Sequence, residues 1–193
     1  MRFLKNVFSQ LHTLVLWAMA SILLWGWIFG FLTNTKAQHK VTIFIEAVQV
    51  EDQKLNLRLE EHLPKGIRMI RVRGIDYSYM GVDNSEDIFL LRASTLEDAI
   101  AKRPDSFAEI PLPDGCIGYS SEGRNIGIRV YDAKAGAGLG SEDYIRYYAP
   151  GDSGAEDVFL CISTHSLHWS ANDKAVDNAA WEVVCELLQI KPE

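Results

Sequence analysis

The longest apolar stretch of the chain lies near its start, at residues 14–32, and contains no charged residue. At about 1.5 Å of rise per residue, a helix of this length covers nearly the whole bilayer hydrocarbon core of about 30 Å. A helix also satisfies its own backbone hydrogen bonds, which lipid cannot do. Trp17, Trp25 and Trp27 are of the residue type enriched at membrane interfaces. The pattern therefore predicts one transmembrane helix.

A cleaved signal peptide is the alternative interpretation of this stretch. Its apolar region usually spans about 7–15 residues before an A-x-A-like cleavage site. The stretch here is longer and TNTKAQ after it offers no good site, so we favour a retained anchor. Arg2 and Lys5 before the span balance Lys36 and Lys40 after it, so charge does not decide the orientation.

The predicted span divides the chain into four parts. A short N-terminal tail (1–13) precedes the transmembrane helix (14–32), and a polar spacer (33–40) follows it. Residues 41–193 have the length of one ordinary domain.

Strand and helix patterns alternate in the first half of this domain. The β-branched run VTIFIEAV (41–48) predicts a strand, and the next segment places Leu55, Leu59 and Leu63 on one helical face that ends at PKG (64–66). IRMIRV and DIFLLRA (87–93) predict two further strands. Such strand–helix–strand units are typical of parallel sheets.

Helix boundaries are predicted from capping patterns. STLEDAIAKR has Ser94 and Glu97 at capping-box spacing, and Pro104 ends that helix. The C-terminal helix carries the apolar stripe Val176, Ala180, Val184 and Leu187, and Asn172 or Asp173 is its predicted cap.

The second half of the domain contains more strands. GCIGYSSEGRNIGIRVYD predicts two short strands around a turn, YIRYY another strand, and the apolar run DVFLCIS a central one. The predicted fold class is therefore α/β, with a mixed, mostly parallel sheet flanked by helices and preceded by one transmembrane helix.

Charge and cysteine content exclude several classes of function. The formal net charge of −7 argues against nucleic acid as a partner, because phosphate binding needs a clustered basic face. The densest basic cluster, Arg68, Arg71 and Arg73, alternates with apolar residues as on a solvated strand face, with an anion site as the less favoured alternative. Cys116, Cys161 and Cys185 form no C-x-x-C pair, and the odd count leaves open one disulfide with one free thiol. We expect no metal and no cofactor.

GAGLG (136–140) lacks the third glycine of a dinucleotide-binding fingerprint and the Gly-Lys-Ser/Thr of a phosphate loop, so we interpret it as an ordinary loop. CISTHSLHW (161–169) contains the main candidates for chemistry. His165 and His168 lack a carboxylate at metal-site spacing, and Ser163, Ser166 and Ser170 lack a nucleophile elbow. Ligands of α/β sheets bind beyond the carboxyl ends of strands, so we predict His165, His168 and Trp169 as ligand-binding residues.

Three segments carry a resemblance to a known family. VTIFIEAV…LEEHLPKGIRMIRV, EDIFLLRASTLEDAIAKRPDSFAEIPLP and FLCISTHSLHWSANDKAVDNAAWEVVCELLQIKPE resemble segments of extracytoplasmic solute-binding proteins of ABC transporters. The last segment includes Ala180, Trp181, Glu182, Val183, Leu187, Pro192 and Glu193. The chain also resembles small, uncharacterised, single-anchor proteins of Gram-positive bacteria. The resemblance implies one lobe of a periplasmic-binding-protein-like fold outside the membrane, although such proteins close two lobes around a solute and this chain has room for one.

These observations predict a non-enzymatic, single-pass protein of the cell membrane with an extracytoplasmic domain. We expect the lipid bilayer to hold residues 14–32, and the domain to bind a membrane protein partner or, weakly, a small ligand, as an accessory to transport. The alternatives are an anchored hydrolase that uses the 163–170 loop and a scaffold subunit of a membrane complex.

Overall fold

The computed structural model describes residues 2–33, 36–75, 86–141, 143–149, 153–169 and 178–190. It consists of two compact units, Met1–Lys36 and Ala37–Glu193. Helix α1, Arg2–Thr33, makes up most of the first unit. It extends through the predicted tail of residues 1–13, because lengthening an existing helix adds one hydrogen bond for each residue fixed. Its window Leu11–Ile28 has a mean hydropathy of 1.7. The helix is therefore long and apolar enough to cross a membrane or to act as a signal sequence.

The second unit is built around one mixed sheet, which has seven strands within the described residues and the order β3-β1-β4-β9-β6-β5, with β7 paired to β6. Its strands are β1 (Lys40–Glu46), β3 (Met69–Ile75), β4 (Ile88–Arg92), β5 (Gly118–Ser121), β6 (Arg124–Asp132), β7 (Ala137–Gly138) and β9 (Val158–Ile162). Strands β2 (Gln49–Val50) and β8 (Ile145–Arg146) form a separate antiparallel pair. The helices are α2 (Asp52–Glu60), α3 (Ala93–Lys102) and α4 (Ala179–Leu188).

Strand directions confirm the mixed α/β class. Strands β3, β1 and β4 are parallel neighbours, as the strand–helix rhythm predicts. Strand β9 occupies the predicted central position but is antiparallel to both of its neighbours, β4 and β6. Strands β3, β1, β4 and β6 therefore share one direction, and β9, β5 and β7 run the opposite way.

Each face of the sheet buries its own core. On one face, α2 and α4 cover the odd-numbered side chains of β1, with Leu55 and Leu59 of α2 buried as the predicted stripe requires. On the other face, α3 covers an aromatic cluster in which the rings of Phe89 and Phe107 meet edge to face at 5.9 Å. Each fully buried side chain of this size stabilises the fold by about 1.5–3 kcal/mol.

The predicted capping box at Ser94 is wrong. Helix α3 begins at Ala93, its N-cap is Arg92, and no side chain of the cap residue bonds the helix. Ser94 lies inside the first turn, where its N–H donates to the carboxylate of Glu156 at 2.8 Å. A carboxylate from a distant segment thus takes the place of the local cap.

Two other boundaries differ from the sequence patterns. Helix α4 has Asn178 as its N-cap, and the predicted cap residues Asn172 and Asp173 lie outside the described residues. Of YIRYY, only Ile145–Arg146 forms a strand, and the next two tyrosines are buried.

All three cysteines are free thiols, so the disulfide alternative is not realised. Cys161 and Cys185 are buried. Burial raises the pKa of the Cys185 thiol to about 11, with the charge of Glu182 adding to the effect, and raises the pKa of Cys161 as well. Both thiols therefore stay protonated at neutral pH and act as small apolar core groups.

GAGLG contains the two-residue strand β7 between two turns. Ala137–Gly138 pairs with Tyr131 and Asp132 of β6, and Gly136 and Gly140 have positive φ angles of 66° and 64°. The glycines of this segment therefore permit a tight turn and a close approach to β6, which is a packing role.

Candidate functional site at the amino ends of the parallel strands

The 163–169 loop follows β9 and contains the three predicted ligand-binding residues. His165 is exposed, His168 is only 5% exposed, and Trp169 is half-buried. The indole of Trp169 packs on that of Trp181 of α4, with ring centres 6.2 Å apart. The structure thus brings the three residues into one loop but gives each a different degree of access to solvent.

A buried carboxylate fixes the base of this loop. Asp87, just before β4, accepts hydrogen bonds from the Thr42 N–H, from the Thr42 hydroxyl and from the Ser166 hydroxyl, at 2.8, 2.8 and 2.7 Å. The carbonyl of Asp87 also accepts the N–H of Ser163 at 2.9 Å. Hydrogen bonds to an ionised acceptor are worth about 1.5–3 kcal/mol. This network joins the loop to the first residues of β1 and β4.

His168 fixes the other end of the loop. Its Nε2 lies 3.1 Å from the carbonyl oxygen of Ala37 and 3.0 Å from that of Lys40. Because both partners only accept, Nε2 must carry the proton and donate to them. The carbonyl of His168 in turn accepts the N–H of Ala180, at 3.1 Å, in the first turn of α4. His168 thereby contacts the start of β1 through its imidazole and the start of α4 through its backbone carbonyl.

These contacts bear on whether the loop can catalyse a reaction. A nucleophilic serine needs a base within about 2.6–3.2 Å of its hydroxyl. The hydroxyl of Ser166 donates to Asp87 and accepts the main-chain N–H of His168, while the His168 ring bonds main-chain carbonyls. Among the described residues, no group of His, Cys, Asp or Glu is arranged to hold a metal ion.

The loop does not lie at the end of the sheet where the sequence placed it. Because β9 is antiparallel to β4, with Ile162 opposite Ile88, the residues after β9 lie at the amino ends of β1 and β4. The general rule for open α/β sheets places ligands beyond the carboxyl ends of parallel strands. The argument from strand ends therefore does not apply to this loop, and ligand binding by His165, His168 and Trp169 stays a prediction.

The carboxyl ends of β1 and β4 carry a buried charged cluster that the sequence patterns did not reveal. Glu46, 6% exposed, accepts the N–H of Arg92 at 2.9 Å and the hydroxyl of Thr95 at 2.8 Å. Together with Glu156, which accepts the N–H of Ser94, it occupies the positive N-terminal end of α3. In many α/β proteins a bound phosphate takes this position. Here the chain fills it with its own carboxylates.

Arg92 supplies the opposite charge in this cluster. Its guanidinium lies 4.3 Å from the ring centre of Tyr148, and Nη2 donates to the carbonyl of Tyr147 at 3.3 Å. Tyr148 in turn donates its hydroxyl to the carbonyl of Glu156 and accepts that residue's N–H, both at 2.8 Å. A buried cation is tolerated when a carboxylate and an aromatic face lie next to it.

An open polar groove lies beside the β2–β8 pair. It is lined by Gln49, Glu51, Ser141, Asp143, Tyr144, Ile145 and Arg146. The carboxylate of Glu51 pairs with Lys54, and the guanidinium of Arg58 lies 5.7 Å from the ring centre of Tyr144. Both signs of charge are thus present and partly paired, and the groove has no strong preference for one sign of ligand.

Glu46 makes the stability of the domain depend on pH. Burial raises its pKa, and this outweighs the hydrogen bonds from Arg92 and Thr95, which lower it. An unfolded glutamate has a pKa of about 4.3, so the folded state binds more protons between that value and the raised one. The free energy of unfolding contributed by this group therefore falls as the pH rises through this window.

We expect Glu46→Gln to remove this pH dependence. The unfolding free energy of the wild type minus that of the variant should decline as the pH rises above about 4.3 and level off above the folded-state pKa. Urea titrations of both full chains in detergent at a series of pH values measure this difference. A difference that stays flat, or that grows with pH, would contradict the effect of burial.

The sequence offered little signal for this cluster. Arg92 ends the apolar run DIFLLR, which indicates only a charged residue at the end of a strand. Glu46, Tyr148 and Glu156 are between 46 and 64 positions from Arg92 along the chain. Glu46 meets it because β1 and β4 are neighbours, and Glu156 lies just before β9, which also pairs with β4. Comparison with known proteins adds no relative: no family model, curated protein or solved structure matches this chain.

Proposed function

We propose that this protein is a membrane-anchored α/β domain that binds a partner protein, or weakly a small ligand, beside the membrane, without catalysing a reaction. The observation that carries the proposal is the surface of α1. None of its apolar window Leu11–Ile28 is buried, and Trp17 and Trp27 are each 70% exposed. A run of large apolar side chains that the fold leaves uncovered is stable in lipid and unfavourable in water.

The 163–169 loop is the surface that we assign to binding. Its backbone is fixed by the bonds of Asp87 and His168, while His165 is exposed and Leu167 is 59% exposed at its tip. A loop that is already ordered loses little conformational freedom when it binds, so more of its contact energy contributes to affinity.

The hydrogen bonds of the loop support binding rather than the alternative of an anchored hydrolase. Its buried imidazole bonds two backbone carbonyls and its best placed hydroxyl bonds a buried carboxylate. These groups hold the loop in shape. A scaffold subunit of a membrane complex would use the same surface, and the identity of the bound partner distinguishes it from an accessory to transport.

We also propose that the domain faces outward, as its resemblance to one lobe of a solute-binding protein implies. The structure contains an apolar helix and a mixed α/β domain, and the orientation in the membrane is the part that we propose. Protease added to intact cells should therefore cleave the domain. If the domain resists protease until the membrane is opened, the outward orientation is wrong.

A photo-crosslinking amino acid at position 165 tests the binding surface in membranes that contain the full chain. We expect the chain to stay in the membrane after an alkaline wash and to form an adduct on irradiation. The same amino acid in place of Leu57, which is 65% exposed on α2, is the matched control and should form none. The mass of the adduct separates a protein partner from a small ligand, and a phospholipid adduct would assign the loop to the bilayer instead.

Release by the alkaline wash would contradict the anchor. Equal adducts at positions 165 and 57, or none at either, would contradict the assignment of the loop to binding.

A further inference from the structure

Three segments meet at the amino ends of the parallel strands, where the chain enters the domain. Residues 37–40 contact the 163–169 loop through His168. They contact residues 64–68 through His39, whose Nδ1 lies 2.9 Å from the carbonyl of Gly66 and whose carbonyl accepts the N–H of Arg68 at 2.8 Å. We call residues 37–40, 64–68 and 163–169 the basic rim.

The basic rim is positively charged within an acidic domain. Lys40, Lys65 and Arg68 belong to it, and it contains no Asp or Glu. Lys65 and Arg68 are exposed, and within the described residues no ion pair involves any of the three cations. The carboxylate that contacts the rim is that of Asp87, which is buried and accepts the Ser166 hydroxyl. Along the chain, the carboxylates nearest to Lys65 are Glu60 and Glu61 at the end of α2.

The rest of the domain has the opposite charge. All 26 acidic residues of the chain lie after residue 37, and the chain as a whole has a net charge of −7. The negative charge therefore belongs to the domain. An anionic surface therefore repels most of the domain and attracts the basic rim, which favours one orientation of contact.

The basic rim also contains an exposed leucine. Leu167 is 59% exposed at the tip of the loop that His168 fixes to residues 37–40. Large apolar side chains next to lysine and arginine are the combination that binds the headgroup region of anionic bilayers.

Chain connectivity makes a bilayer the occupant that best fits this surface. Only residues 34–36 separate the last residue of α1, Thr33, from the first residue of the basic rim, Ala37. A membrane that holds α1 is therefore always within reach of the rim, at an effective concentration that a free partner does not have.

We propose that the basic rim docks the domain onto the anionic headgroups of the bilayer through Lys65, Arg68 and the side chain of Leu167. This inference rests on the proposed anchoring of α1. Each lysine or arginine near an anionic surface raises the equilibrium constant for contact about fivefold, and salt screens the attraction.

The test uses the full chain in vesicles of phosphatidylcholine with or without phosphatidylglycerol. Leu167→Cys is made in a Cys116→Ser background and labelled with a fluorophore that reports polarity, because the other two thiols are buried. We expect a blue shift of emission only with the anionic lipid, and its loss at about 1 M salt, where the screening length is about 3 Å. The same label at Ile117→Cys, a site 51% exposed beside β5, should not respond.

Charge reversal identifies the residues responsible. Lys65→Glu with Arg68→Glu should weaken contact at least about 25-fold and abolish the shift. Lys134→Glu with Arg146→Glu, an equal change of charge at exposed positions outside the rim, should leave the shift in place. Soluble glycerol phosphate should produce no shift, which distinguishes a lipid surface from free phosphate.

Vesicle flotation separates the two proposals. A chain that fails to float with neutral vesicles contradicts the anchor. A chain that floats but shows no anionic shift, or the same shift after reversal at residues 65 and 68, or a shift with glycerol phosphate alone, contradicts docking by the basic rim.

Discussion

Replacing His168 by alanine should lower the free energy of unfolding by about 2–4 kcal/mol. The substitution removes a side chain that is 5% exposed and leaves the carbonyls of Ala37 and Lys40 without their shared donor. The two terms act together, since the cavity forms where the unsatisfied carbonyls lie. Urea denaturation of the full chain in detergent measures the effect, with an unchanged slope confirming that the same surface unfolds.

His165→Ala is the matched control, because it removes the same kind of side chain from an exposed position three residues earlier. It should change the free energy of unfolding by less than about 0.5 kcal/mol. His168→Gln retains an N–H donor and should recover part of the loss. Equal effects of the two alanine substitutions would show that the imidazole of His168 does not stabilise the start of β1.

The two histidines show what the sequence can and cannot reveal about this loop. The pattern CISTHSLHW places both after a central strand, and the structure confirms that placement. The partners of His168 are backbone carbonyls 131 and 128 positions earlier. A backbone carbonyl has the same chemistry in every residue, so no pattern of side chains predicts that one will accept a bond from a distant imidazole.

Strand order and direction limited the prediction of the site in the same way. The apolar run DVFLCIS indicates a strand buried on both faces, and β9 is such a strand. Its direction is set by pairing with β4 and β6, which depends on the path of the whole chain between them. Because the direction was not predictable, the loop after β9 was assigned to the wrong end of the sheet.

Helix α3 illustrates the competition between local and distant partners. Ser94 and Glu97 have the spacing of a capping box, and an isolated helix would use it. In the folded chain, Glu156 accepts the N–H of Ser94, which the capping box would give to Glu97, and Glu46 accepts the N–H of Arg92. Carboxylates from distant segments thus bond the free N–H groups at the start of the helix, and its N-cap lies at Arg92, two residues before the predicted cap Ser94.

The basic rim and the carboxylates at α3 lie at opposite ends of the parallel strands. They differ in whether their charged groups have bonding partners within the domain. At α3 the carboxylates of Glu46 and Glu156 accept backbone N–H groups and the Thr95 hydroxyl, so this end of the sheet is stabilised internally. At the basic rim, Lys65 and Arg68 face solvent. An interaction with another molecule therefore costs less at the rim, where no internal bond has to be broken first.

Replacing Gly138 by alanine should destabilise the domain by about 2–4 kcal/mol. A Cβ at this position would collide with the carbonyl oxygen of Val130 and lie 2.5 Å from the Cα of Tyr131, so backbone atoms must move. Moving β7 also strains the bond from the Leu139 N–H to Val130 and the bond from the buried Tyr147 hydroxyl to the Leu139 carbonyl, at 2.7 and 2.9 Å.

Gly136→Ala is the matched control for Gly138→Ala, because it removes a glycine from the same turn and stiffens the unfolded chain equally. No atom lies within 4 Å of a Cβ at position 136, and only its φ of +66° opposes the substitution. The expected loss there is about 1 kcal/mol. Urea titrations of both variants decide the matter. If Gly138→Ala costs no more than Gly136→Ala, the close approach of β7 to β6 is wrong, and GAGLG needs its glycines for flexibility alone.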